Sequence, residues 1–382
     1  MKGRILTHAE RAQYREALSG LEDQTRLLER HLTGRSALPA RFLDAMESRL
    51  GTRDASALHA ALMDHHRELD KLYDEELRHS AQFDYSCFCE YIRRDEVPVA
   101  HQEFLIEHME RVHRREIERL AISLPPGSAK TTYASIRFAA WHLGRRPNDR
   151  WLQGAHTQTF AKDRLGKPVR NLMQETRFND VFPEVRLSTS SAAADYFEFT
   201  GGHGYYKAVG VGVGISGFRA DIGAIDDPIA SREDAESEAV RRKLHAWYED
   251  DFGTRPMPGS PIFIVTTRWH EDDLVGHELQ KMAEGRGDPW VVVNIPALAG
   301  PADPLGRKEG EGLWPEVFGT DFYLKKKRGL QGRSWNSLYQ GHPIDEEGGV
   351  LKREDVRRYK NVPADEYRAG KLVKKVVKRI TL

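Results

Sequence analysis

The run Ala121-Ile-Ser-Leu-Pro-Pro-Gly-Ser-Ala-Lys130-Thr131-Thr132 constrains the fold of this chain more than any other segment. It reads as a short apolar strand, a tight loop of small residues, then Lys-Thr-Thr opening a helix. In that order the backbone N–H groups of the loop and helix N-terminus gather around one point, which is how a chain holds a phosphate. Pro126, Gly127, Ser128, Ala129, Lys130, Thr131 and Thr132 form the candidate cradle. In the pattern G-x-x-x-x-G-K-[ST] the lysine reaches the β- and γ-phosphates and the hydroxyl serves Mg²⁺. Those roles fall on Lys130 and Thr131. Leu124 and Ala129 stand where the pattern has glycine, so the rest of the chain has to decide.

Downstream, strand and helix signals alternate. Strand candidates are 120–124, 151–155, 205–211, 222–225, 262–266 and 290–295; helix candidates are 131–143, 157–173, 233–248 and 271–284. Such alternation predicts an α/β domain with a mostly parallel central sheet flanked by helices. Residues 1–80 differ in texture. Leu18, Leu21, Leu28 and Leu32, then Leu58, Leu62, Leu69, Leu72 and Leu77, recur at helical spacing in a charged background. They predict a small helical N-terminal unit, which either docks a partner or packs on the core domain. The core is expected over 81–350. Residues 351–382 read as a basic linker or the start of a further domain.

Bulk properties exclude some functions. Lys+Arg and Asp+Glu are both 58, so net charge gives no nucleic-acid signal and any basic surface is local. Lys325–Arg328 and Lys371–Arg379 are the clearest basic runs. The two cysteines, Cys87 and Cys89, lack a second ligand pair and read as buried thiols in a reducing compartment. No signal peptide and no membrane-length apolar stretch is visible, which predicts a soluble intracellular protein.

Three further features bear on chemistry. Ala220-Asp-Ile-Gly-Ala-Ile-Asp226-Asp227-Pro228 is an apolar strand ending in paired carboxylates. In a phosphate-loop ATPase the first acid helps hold Mg²⁺ and the next polarises the attacking water, roles that fit Asp226 and Asp227. The same residues also make a good strand-end turn. Ile262–Thr266 is a buried strand emerging into Thr267-Arg-Trp-His-Glu-Asp-Asp-Leu274. Thr266 or Thr267 would sit beside the γ-phosphate and sense its loss, or the pair simply ends the strand while the acids beyond cap the next helix; both can hold at once. Arg219, just before the acidic strand, either stabilises charge on the transferring group, pairs with Asp221 or is a surface arginine. Gly212-Val-Gly-Ile-Ser-Gly217 spells the dinucleotide fingerprint, but it feeds a strand rather than opening a helix, so it reads as a loop.

Taken in order, His101-Gln102, Leu124–Thr132, Gly217–Asp221 leading to Asp226-Asp-Pro228, and Thr266–Leu274 resemble the ATPase half of the large terminase subunit of tailed bacteriophages. Trp335–Gln340, Pro343 and Gly348-Gly349 resemble the stretch after that core. The resemblance covers about residues 83 to 360. It implies a P-loop NTPase fold of the ASCE type with a mostly parallel central sheet, and the 96 residues between Lys130 and Asp226 leave room for another strand and helix in sequence. It implies ATP and Mg²⁺ as cofactors, with Lys130 and Thr131 in the phosphate loop, Asp226 on the metal and Asp227 as catalytic carboxylate. Gln102 takes the adenine-associated position, Thr266–Thr267 the coupling motif, and Arg219 a trans-acting arginine. Asp227 replaces the commoner Glu, and Ala129 the commoner Gly.

Implied partners are double-stranded DNA, the portal protein, the small terminase subunit and like copies in a ring on the procapsid, in the host cytoplasm. The family usually continues into a nuclease domain. Val376–Leu382 resembles that domain's first strand, so the expectation is an ATPase part without a nuclease site. A superfamily-2 helicase-like translocase fits less well, because Asp-Asp-Pro-Ile replaces Asp-Glu-x-His or Asp-Glu-x-Asp and little chain remains for a second lobe. A non-catalytic docking module with a degraded ATP site is the rival from another class.

Overall fold

The computed structural model describes residues 5–343 and the backbone of a hairpin, β9 (Glu366–Arg368) and β10 (Lys371–Lys374), paired antiparallel. The expectations on 351–382, including the basic run Lys371–Arg379, otherwise lie outside the described residues. So do the last residues of the expected core, with Gly348-Gly349.

An eight-stranded sheet organises residues 5–343. Its strands are β1 (Arg119–Ser123), β2 (Arg150–Ala155), β3 (Leu187–Ala192), β4 (Tyr196–Phe199), β5 (Tyr205–Gly210), β6 (Ile222–Asp226), β7 (Ile262–Thr266) and β8 (Val291–Asn294). Across the sheet the order is β3-β4-β5-β2-β6-β7-β1-β8. The six strands from β5 to β8 are parallel, and β3 and β4 close one edge antiparallel. Every residue of β6 and β7 is buried, as expected for parallel strands covered on both faces. β7 lies between the loop strand β1 and the acidic strand β6, which is the ASCE arrangement of a P-loop domain.

The expected strands form with small shifts at their ends, whereas β3 and β4 carried no clear signal. β3 is Leu-Ser-Thr-Ser-Ser-Ala with no fully buried residue, so it lacks the apolar pattern that marks a core strand. The expected helix at 157–173 is subdivided into Gln158–Phe160, a π-helical turn Ala161–Gly166 and Lys167–Gln174. That expected from Glu271 begins at Leu274, because the Asp273 carboxylate accepts the Gly276 N–H at 3.0 Å and caps the helix there.

The N-terminal helices, His8–Leu32, Ala40–Leu50 and Ala55–Ala81, bury the leucine stripes in part. Leu21, Leu28, Met46, Leu58 and Leu62 form a cluster of their own, while Leu18, Tyr73 and Leu77 join the core under the sheet. Leu32 and Leu72 are exposed. Each fully buried leucine is worth roughly 1.5–3 kcal/mol over an exposed one. Polar contacts fix the base. Glu90, fully buried on the helix Tyr85–Ile92, accepts from Arg11 at 3.0 Å and Arg15 at 2.7 Å, and also from the Tyr73 hydroxyl. A buried carboxylate held by two guanidiniums locates its neighbours closely, because any other placement leaves charge unpaired. Cys87 and Cys89 are buried on the same short helix, and burial raises both thiols, Cys89 to about 12. Among the described residues, no helix is long and apolar enough to cross a membrane.

Candidate active site

Register brings the candidate residues to one edge. Ser123 at the end of β1 pairs with Thr266 of β7, and Asp226 at the end of β6 pairs with Val265 of β7 and Ala155 of β2. Four parallel strands therefore finish together, and the residues just beyond them face a common crevice.

The loop after β1 carries two left-handed residues, Gly127 (φ 81) and Ala129 (φ 62). The second is the position where the usual pattern has glycine. Ala129 adopts the glycine conformation despite its Cβ, at a strain of about 1–2 kcal/mol. A π-helical turn, Thr131–Arg137, then leads into the helix Phe138–Arg145. Pro126, Gly127 and Ser128 lie in the loop, and Thr132 sits half-buried on the first turn.

Five side chains converge. Lys130 Nζ donates to Thr267 Oγ1 at 2.9 Å and lies 3.1 Å from Asp227 Oδ2. Asp227 Oδ1 accepts the Thr267 N–H at 2.8 Å. Thr131 Oγ1 donates to Asp226 Oδ1 at 3.1 Å. Thr267 Oγ1 also donates to the Leu124 carbonyl at 3.3 Å, tying β7 to the start of the loop. Thr266 bonds only backbone groups, its hydroxyl donating to the Thr267 carbonyl at 3.0 Å. Asp227, like Ala129, is left-handed (φ 40), which turns its carboxylate across the end of β7.

Asp226 is fully buried, and its Oδ2 has no hydrogen-bond partner. Burial, then the neighbouring Asp227 carboxylate, push it above the usual carboxylate range; Lys130 and the Ser135 and Thr131 hydroxyls act against them. A buried carboxylate oxygen that completes no hydrogen bond is costly, and a divalent cation is a group that satisfies it. Asp226 Oδ2 with the Thr131 hydroxyl therefore fits Mg²⁺.

Two expected residues stand elsewhere. Arg219 is not brought to this edge. It precedes β6, whereas Asp226 ends it, and a five-residue strand spans roughly 16 Å. Nor does it pair with Asp221, which takes Arg150 at 2.7 Å; Arg219 instead donates to the Thr254 carbonyl at 3.3 Å. Gln102 is buried and holds its own helix start, its side-chain oxygen accepting the Val99 N–H at 3.1 Å.

Other residues at the site had no role assigned to them from sequence. His101 Nε2 donates to the Ser128 carbonyl at 3.1 Å, bracing the loop from below. Burial lowers His101 to about 4, so it stays neutral. The only trace of it in the sequence was its place beside Gln102. The Phe318 ring covers Gly127, where an added Cβ would come within 3.1 Å of it. Trp314 packs edge-on to His101, ring centroids 5.2 Å apart. No local pattern links these aromatics to a loop so distant in sequence. His156, at the end of β2, bonds the Asp227 carbonyl at 3.1 Å and opens onto a cleft of about 650 Å³ that Arg164 and Lys167 also line.

A parallel sheet with this strand order, a phosphate loop at one strand end and paired acids at the next but one define a P-loop protein. Residues 121–358 match the family model described as terminase large subunit, T4likevirus-type, N-terminal. The match spans more than half of the sequence, and the chain belongs to that family. Among solved structures it is similar to the large terminase of bacteriophage HK97, at 14% identity and a TM-score of 0.41 over 69% of this chain and 55% of that one. It is also similar to the large terminase of a thermophilic bacteriophage in complex with ATP-gamma-S (12% identity, TM-score 0.37, 61% of this chain and 51% of that one). A third is the large terminase ATPase domain of Thermus phage P74-26 (15% identity, TM-score 0.36, 62% and 92%). The aligned part is thus about half the length of the first two of these proteins. No curated protein matches the chain.

Proposed function

We propose that this chain is the ATP-hydrolysing motor part of a terminase large subunit and drives double-stranded DNA into a procapsid. The observation that carries this reading is the convergence of Lys130, Thr131, Asp226, Asp227 and Thr267 at one sheet edge. Family membership supplies the packaging context.

The contacts suggest an order of events. Lys130 is shared between Asp227 and Thr267, and a phosphate in the loop offers it a stronger partner. Transfer of Lys130 to the phosphates frees Asp227 Oδ2 to orient the attacking water, while Oδ1 stays on the Thr267 N–H. Asp226 and Thr131 would hold Mg²⁺, which neutralises charge on the β- and γ-phosphate oxygens when bound. Loss of the terminal phosphate returns Lys130 to Asp227 and Thr267, and Thr266–Thr267 pass the change along β7. Arg219, at the far edge of the sheet, serves only a neighbouring copy's site, which calls for a ring. DNA is gripped through its phosphates, so binding is sequence-independent and salt-sensitive. Lys325–Arg328, exposed on the helix Thr320–Gly329, are candidate contacts. The portal protein and small terminase subunit are the proposed further partners, and the procapsid in the host cytoplasm is the proposed place of action.

The test is ATP hydrolysis by copies assembled on procapsids, wild type against Lys130→Ala. We expect turnover in the wild type and its loss in the variant. Equal slow hydrolysis by both would overturn the motor reading in favour of a docking module.

A further inference from the structure

On the opposite side of the coupling strand from the phosphate loop's helix, three metal-ligating side chains meet. His245 lies on the helix Glu238–Ala246, Asp272 in the turn after β7, and His277 on the helix Leu274–Ala283. Asp272 Oδ1 is 4.0 Å from His245 Nε2 and 4.0 Å from His277 Nδ1. The two imidazoles stack at 3.9 Å between centroids and 11° between planes. His245 is only 7% exposed, and its Nε2 has no hydrogen-bond partner. A buried ring nitrogen aimed at a carboxylate it does not reach is a group awaiting a ligand.

We propose that His245, Asp272 and His277 bind a transition-metal dication of the zinc class, at a site separate from Asp226 and Thr131. Two imidazoles and one carboxylate are a donor set typical of zinc, leaving a fourth position for water. The surroundings are those of a metal site. His277 Nε2 lies 3.2 Å from Glu249 Oε1, which fixes the tautomer that turns Nδ1 inward as an acceptor. Asp272 Oδ2 is held by Arg241 Nε at 3.0 Å, which leaves Oδ1 for the ion. Burial and the neighbouring His277 lower the His245 pKa, which keeps it in the neutral form that ligates. Ligands about 2.0–2.2 Å from a tetrahedral ion stand roughly 3.3–3.6 Å apart. Because the rings are stacked nearly parallel and an imidazole binds an ion in its own plane, half-exposed His277 has to rotate out of the stack to bring both nitrogens and Asp272 Oδ1 onto one ion. The adjoining group Glu249, His277 and Glu278 is excluded, because the Lys281 ammonium already bridges its two acids at 2.8 and 3.0 Å.

The placement gives the ion a purpose. It would staple the helix after the acidic strand to the turn and helix after the coupling strand, stiffening the part through which hydrolysis is passed on.

The full chain, stripped with chelator and held in excess Mg²⁺, is titrated with Zn²⁺ and with Co²⁺. We expect one bound Zn²⁺ by elemental analysis, a visible Co²⁺ absorption band of four-coordinate intensity, and a higher thermal midpoint with Zn²⁺. His277→Ala should lose all three, while Asp226→Asn should keep them. His245→Ala risks misfolding, so half-exposed His277 carries the test, with circular dichroism confirming its fold. Failure of the wild type to bind, equal binding by His277→Ala, or loss in Asp226→Asn would each overturn the proposal.

Discussion

Lys130 Nζ lies 3.1 Å from Asp227 Oδ2, although the two residues follow strands, β1 and β6, that are separated by a third. That third strand, β7, supplies Thr267, which bonds both of them. The candidate phosphate-binding lysine and the candidate catalytic acid are thus partners, and each is released only when the other finds a substitute.

Asp227→Asn should separate binding from turnover. The amide keeps the shape but neither orients water as a base nor holds Lys130 by charge. Hydrolysis should fall about 10²–10⁴-fold. Affinity for a non-hydrolysable ATP analogue should stay the same or tighten, because Lys130 no longer leaves an ion pair. Steady-state assays of the assembled protein with a direct binding titration check this; a parallel loss of affinity would assign Asp227 to binding instead.

Ala129→Gly should stabilise the protein. Glycine removes about 1–2 kcal/mol of left-handed strain and gives up a half-buried methyl worth at most about 0.8 kcal/mol. The balance, near 1 kcal/mol, corresponds to roughly 2 °C in thermal midpoint. Ala129→Val should move the midpoint the other way, since a branched side chain tolerates that backbone poorly.

Arg268→Ala tests whether the Thr-Arg-Trp-His-Glu-Asp-Asp-Leu stretch is architectural. Arg268 Nε contacts both Asp273 oxygens, at 3.0 and 2.7 Å, and Asp273 caps the following helix. Asp273 is buried and Arg268 nearly so, and removing the guanidinium leaves a buried charge without its counter-charge, costing about 3–5 kcal/mol. Chemical denaturation should show that loss. A change below about 1 kcal/mol would mean that the cap alone satisfies Asp273.

Acid should destabilise the fold through three buried histidines. His101, His113 and His142 all have lowered pKa values, chiefly from burial. His142 Nε2 donates to Asp149 at 3.1 Å, so its Nδ1 accepts from His113 Nδ1 at 3.0 Å, and both rings are neutral. Below the ordinary histidine pKa the unfolded chain binds protons that the folded chain refuses. Stability therefore falls as pH drops from about 6.5 toward the lowered values, by at most about 1.4 kcal/mol per pH unit per histidine. Asp226, raised, takes up a proton in the folded state over the same window and opposes them, one group against three. Thermal melts between pH 7 and 5 should show the decline. His101→Gln, which keeps a donor for Ser128 without titrating, should make it shallower.

Much of the site was legible because its parts are local. A phosphate loop is a contiguous strand, turn and helix start, and paired acids at a strand end announce themselves. Even the separation of Arg219 from the site was readable in principle, since it precedes the strand that Asp226 ends. The polar edge strand Leu187–Ala192 was not legible, because it has no buried face to impose an alternating pattern. His101, Trp314 and Phe318 were not either, because their link to the loop exists only in three dimensions.

Sequence alone determined the α/β class, the phosphate loop, the acidic strand and the terminase resemblance. Each is set by residue type and spacing within about a dozen positions. Tertiary structure decided that β7 runs between β1 and β6, that Ala129 takes a glycine's backbone, and that Lys130 rests on Asp227 and Thr267. Strand order and register in a parallel sheet come from long-range packing, which no short window of sequence contains.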